Sequence, residues 1–132
     1  MAISASFLQF LKYNRWGIIW GLVIILLMAI PGNAFPKIPK FIDLLQPDKI
    51  IHQVIFAVYV FLQIKGFRQQ DVYPDIRKHA VFLVLTIGLL LSAGTELMQE
   101  WVIPNRLGSV WDFTANVVGC LTGWLVAWKL KL

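Results

Sequence analysis

Four long stretches without formal charge dominate this chain: Trp16 to Pro36, Ile50 to Ile64, His79 to Thr95 and Phe113 to Trp128. A helix that crosses a bilayer needs about 20 apolar residues, with a range of about 17–25. Three of the stretches fall at or below that minimum. They can cross only if flanking polar residues reach the headgroup zone or turn toward protein. Composition agrees with a lipid environment. Hydrophobic residues make up 58% of the 132 and charged residues 14%, where a soluble domain carries about a quarter charged. The mean hydropathy is +0.70. The expected fold is all-α: one domain over residues 1–132, an integral membrane bundle of four transmembrane helices. The segment before Trp16 is expected to lie along the inner interface.

The distribution of basic residues sets the expected orientation and excludes one partner class. The net charge is +5, but Lys and Arg sit between apolar runs, where they act as topology signals rather than as a nucleic-acid surface. Lys12, Arg15, Lys65, Arg68, Arg77, Lys78, Lys129 and Lys131 fall on one side of the spans, and Lys37, Lys40, Lys49 and Arg106 on the other. By the positive-inside rule both termini face the cytoplasm, in a multi-pass protein of the cytoplasmic membrane. A leader reading competes for the first stretch. Lys12 and Arg15 would form its basic region, and Gly32 and Ala34 its cleavage signal. The apolar residues among the basic ones (Phe7, Leu8, Phe10, Leu11) favour a retained span. Trp16, Tyr59, Trp101, Trp111, Trp124 and Trp128 lie near the ends of the runs and are expected at the interfaces. The single cysteine, Cys120, sits within an apolar run, excludes a disulfide within the chain and reads as inert.

Ionisable and amide side chains collect at three span ends. The second span starts with Asp48-Lys49-Ile50-Ile51-His52, the third ends with Glu96-Leu97-Met98-Gln99, and the fourth starts after Arg106 with Ser109, Asp112 and Asn116. An up-down order of spans brings all three to the outer leaflet. Residues three and four apart share a helix face, so each helix carries a polar stripe that lipid cannot solvate. Gly119 and Gly123 continue the last stripe as a small-xxx-small pair. They are expected to pack the fourth span within the chain, with Ser92 and Gly94 as the facing surface. Arg106 is expected within salt-bridge distance of Glu96 or Asp112.

These motifs, Asp48-Lys49-x-x-His52, Glu96-x-x-Gln99 and Arg106-x-x-Ser109-x-x-Asp112-x-x-x-Asn116-x-x-Gly119-x-x-x-Gly123, resemble the pattern of the VanZ-like membrane proteins over residues 45–125. Gln53 stands where the family often has an aromatic residue. The resemblance implies a small polytopic fold and a family whose name-giving member is tied to low-level resistance to the glycopeptide teicoplanin. It implies no particular reaction.

Three functions follow from the residues. In the first, the outer cluster binds the headgroup of a membrane lipid or lipid-linked envelope precursor. Lys49 and Arg106 would take phosphate, and His52, Glu96, Gln99, Ser109, Asp112 and Asn116 would hydrogen-bond the rest. In the second, Glu96, Asp112 or His52 serves as acid or base in an enzyme acting on such a lipid, although no activated nucleophile is present. In the third, the cluster is a buried network in an accessory subunit, whose partner is a second copy or another membrane protein. No cofactor is expected, and no dense ligand motif points to a metal. A pocket open to the outer leaflet would favour the first two functions, and a closed network the third.

Overall fold

The computed structural model describes residues 4–37, 39, 42 and 46–132. Lys40, counted above for orientation, and Leu45, the first motif-bearing residue, fall outside them. Among the described residues four helices are long and apolar enough to cross a membrane: α1 (Ala5–Met28), α2 (Pro47–Gln69), α3 (Ala80–Trp101) and α4 (Val110–Lys129). A short helix, Pro74–Lys78, joins α2 to α3. At 1.5 Å per residue the long helices measure about 30–36 Å, enough to cross the hydrocarbon layer. Each extends past its charge-free stretch, so flanking polar residues ride on the helix ends.

Helix α1 differs from expectation at its start. Ser4 caps it, its side chain accepting from the Phe7 amide at 3.2 Å, and no breaker occurs before Met28. Residues 5–15 therefore form the first turns of the spanning helix, not a separate interfacial segment. Helix α2 opens with Pro47, whose missing N–H suits a first turn. It ends at a turn stapled by Gln70, a fully buried side chain. Its Nε2 donates to the Phe67 and Tyr73 carbonyls at 3.2 and 2.8 Å, and its Oε1 accepts from the Tyr73 amide at 2.7 Å. Helix α4 is capped by Ser109, which accepts from the Asp112 amide at 3.3 Å.

The four helices run up and down. At one end Gln9 donates to Asp71 at 3.0 Å, Phe10 packs on Phe67 and Tyr73, and Arg68 meets the Leu132 main chain. At the other end the Gly32 amide donates to the Pro104 carbonyl at 3.2 Å, tying the loop after α1 to the α3–α4 hairpin. Helix α2 is central, packing on α1, α3 and most extensively on α4. Its Phe56, Val60 and Ile64 meet Ile24, Val84 and Cys120 in the core, while Leu26, Phe82 and Leu90 face outward. A core inside and an apolar surface outside is the arrangement lipid permits.

The glycine pair of α4 lies against α2. A Cβ on Gly119 would stand 3.0 Å from the carbonyl carbon of Gln53 and closer still to its oxygen, and one on Gly123 would meet Ala57 in the same way. The facing surface is thus Gln53 and Ala57, not the expected Ser92 and Gly94. Ser92 is buried, but Gly94 is exposed with no atom near it. Tyr59 also departs from expectation. It is 5% exposed, and its ring fills the space over Gly21 of α1. Trp16, Trp101, Trp111 and Trp128 are exposed, whereas Trp124 packs on the core.

Candidate functional site

Three helices supply one buried hydrogen-bonded chain at the end of the bundle where α2 and α4 begin. His52 of α2, Glu96 of α3 and Asn116 of α4 are 5%, 8% and 0% exposed. His52 Nδ1 lies 2.9 Å from Asn116 Oδ1, and Asn116 Nδ2 donates to Glu96 Oε1 at 3.3 Å. Because an amide oxygen only accepts, this pairing places the imidazole proton on Nδ1. The His52 ring nitrogen is itself 4.0 Å from Glu96 Oε1. The second carboxylate oxygen of Glu96 accepts from the Ser109 amide at 3.0 Å. One side chain, Asn116, thus joins the other two and satisfies both its amide atoms, as a buried polar group must.

The remaining candidates take other places. Lys49 bridges Asp48 and Asp112, with its ammonium 3.3 and 3.4 Å from their oxygens. The Asp112 contact is an ion pair at a distance without hydrogen-bond geometry, since that oxygen accepts no bond. Arg106 does not pair with Glu96 or Asp112. Its guanidinium sits 5.1 Å from the centre of the Phe35 ring, a cation–π contact. The docking of Gly32 on Pro104 explains this, because it brings the loop after α1 under the hairpin that carries Arg106. Gln99 also turns away from the cluster. Its Nε2 reaches the Met28 carbonyl at 3.3 Å and the Met28 Sδ at 3.2 Å, so it satisfies the end of α1. Ser109 contributes its backbone to Glu96 and spends its hydroxyl on the helix cap.

Glu100 belongs to this end although its sequence position did not single it out. Its carboxylate accepts from the Gly108 amide at 2.8 Å. Glu96 and Glu100, one turn apart on α3, therefore hold two successive amides of the hairpin. The signal was the i, i+4 spacing of two acids facing a Gly-Ser turn. No group of three or more His, Cys, Asp or Glu side chains able to hold a metal occurs among the described residues.

A groove of about 440 Å³ opens sideways between α3 and α4 over this network. Its walls are Ala93, Leu97, Val110 and Phe113, and its polar surface comes from Glu96, Glu100 and the turn at Gly108 and Ser109. Lys49 and Arg106 are not among its lining residues. The VanZ/LLP1 family model matches residues 5–131, nearly the whole chain. The chain belongs to the VanZ/LLP1 family. No curated protein and no solved structure matches it. As a VanZ-family membrane protein it places its motif residues His52, Glu96 and Asn116 in one buried chain, while Gln99 and Arg106 brace the loops around it.

Proposed function

We propose that the groove between α3 and α4 receives the polar headgroup of a membrane lipid or of a lipid-linked envelope precursor. The observation that carries this reading is the lateral opening over a buried carboxylate: apolar walls face where lipid tails would lie, and Glu96 stands at the polar end. Pockets of a few hundred Å³ with few, fixed polar groups are the usual form of a small-ligand site. The acidic lining favours a headgroup presenting hydroxyls or an amine. Phosphate is not part of this reading, since Lys49 is held by Asp48 and Asp112 and Arg106 covers Phe35. Any effect on tolerance of envelope-directed antibiotics is proposed as a consequence of such binding.

Filling the groove tests this. Ala93 is half-buried in the wall and outside the hydrogen-bonded chain. An Ala93→Trp variant is expected to keep its thermal midpoint but to lose a lipid species that co-purifies with the wild type in nanodiscs, read by lipid mass spectrometry. Identical lipid content in the two proteins would refute the proposal.

For orientation we propose that the end bearing Lys65, Arg68, Arg77 and Lys78 faces the cytoplasm, which places the groove in the outer leaflet. The support is the unequal division of basic residues between the two ends. A reporter active only in the cytoplasm, fused after Leu132, is expected to be active. Full-length fusion protein without activity would reverse the orientation.

A further inference from the structure

The opposite end of the bundle holds a cavity of about 640 Å³. Lys65 and Arg68 of α2, Arg77 and Lys78 of the short helix, and Lys131 after α4 line it. We propose that this cavity binds the phosphate headgroup of an anionic phospholipid in the leaflet at this end, a site separate from the groove described above.

Five cations from three segments converge on one concavity. Among the described residues no Asp or Glu side chain lies within 4.0 Å of any of them. The nearby Asp71 is engaged by Gln9. Arg68 already donates to the main-chain oxygen of Leu132, which also lines the cavity, so Lys65, Arg77, Lys78 and Lys131 are the cations left to meet a ligand. Asp75 on the same short helix and the helix C-termini at this end, about half a negative charge each, offset part of this charge, and the five cations still outnumber them. All five side chains are exposed and line the same open concavity. Cations gathered around an open volume repel one another when the site is empty, and an entering anionic phosphate relieves that repulsion. Basic pockets between membrane helices recognise lipid phosphates in this way. The volume falls within the range of about 300–1,000 Å³ that holds compact ligands. Beside the cavity, Trp128 and Leu130 are 67% and 61% exposed, an apolar flank for the acyl chains of a bound lipid.

The test uses the full chain in a neutral detergent, with binding read by native mass spectrometry and by thermal midpoint. The probes are phosphatidylglycerol, phosphatidylcholine and inorganic phosphate. Phosphatidylglycerol is expected to bind and raise the midpoint, with phosphatidylcholine at least tenfold weaker. Inorganic phosphate at matched concentration is expected neither to displace the lipid nor to shift the midpoint. An Arg77→Gln/Lys78→Gln variant, altered at two exposed side chains, is expected to bind phosphatidylglycerol about tenfold more weakly. A Lys37→Gln/Lys129→Gln variant removes the same charge outside the cavity and is expected to bind as the wild type does. Equal binding of the two lipids, displacement by inorganic phosphate, equal loss in both variants or no loss in the first would each overturn the proposal. The comparison of lipids needs only the wild type, so it decides the matter even if a variant misfolds.

Discussion

A Gly119→Val variant is expected to lose most of its folded population. The valine Cβ would overlap the Gln53 carbonyl oxygen and press on the carbon and Cα behind it, all backbone atoms of α2. A flexible side chain could swing away, but a helix backbone can yield only if α4 moves as a body. Overpacking costs typically about 1–3 kcal/mol in soluble cores, and occasionally more. Here the upper end or beyond applies, because helix association in lipid relies on close packing without a hydrophobic drive between helices. The α2–α4 contact is also the most extensive in the bundle. The matched control is Gly94→Val on α3, where a Cβ would meet nothing within 4 Å. Its stability is expected within about 0.5 kcal/mol of wild type, the usual range for a surface change. Thermal unfolding of both variants in detergent, followed by tryptophan fluorescence, checks the pair. Equal destabilisation would show that the α2–α4 approach is not limiting.

Much of this architecture is legible in the sequence because lipid imposes simple demands. Charge-free runs locate the four spans, and the breaks at Pro31 and Pro74 locate two of the connections. The positions of His52, Glu96 and Asn116 at span ends are enough to expect them together, since an unpaired polar group in hydrocarbon costs several kcal/mol. What helical spacing cannot supply is the identity of the neighbour. Glu96 and Gln99 share a face only loosely, since residues three apart differ by about 60° around the axis. On α3 that turn separates a side chain aimed at α4 from one aimed at the end of α1. The small-xxx-small pattern likewise marks a close approach without saying which helix makes it, so Gly119 and Gly123 meet Gln53 and Ala57. Arg106 was beyond reach for another reason. Its partner depends on how the loop after α1 docks on the hairpin, a contact made by the Gly32 and Pro104 main chains, to which side-chain pattern gives no clue. The continuity of α1 through Lys12 and Arg15 shows that charges alone do not break a helix. Only the N-cap at Ser4 and the break after Met28 bound it.

The buried chain itself yields the other large effect. Asn116→Leu keeps the branched shape and the number of side-chain heavy atoms, so no cavity forms. It removes the donor to Glu96 Oε1 and the acceptor from His52 Nδ1. Both partners are more than 90% buried, so water reaches them only through the groove that Glu96 lines. Leaving one buried neutral polar group unsatisfied costs about 1–3 kcal/mol, and more for a charged one; stranding a buried carboxylate brings the total to roughly 3–5 kcal/mol. The backbone bond from Ser109 to Glu96 Oε2 survives the change, which keeps the estimate below that for a wholly isolated carboxylate. A second variant separates chain breakage from poor accommodation of leucine. His52→Leu removes one of the two stranded groups, so His52→Leu/Asn116→Leu should be less destabilised than the sum of the single variants. Groups in one network show such coupling at about 0.5–3 kcal/mol. The four proteins form a double-mutant cycle readable by denaturant or thermal unfolding in detergent. Strict additivity would mean that His52 and Asn116 are not coupled, and that the chain does not extend from Glu96 through Asn116 to His52.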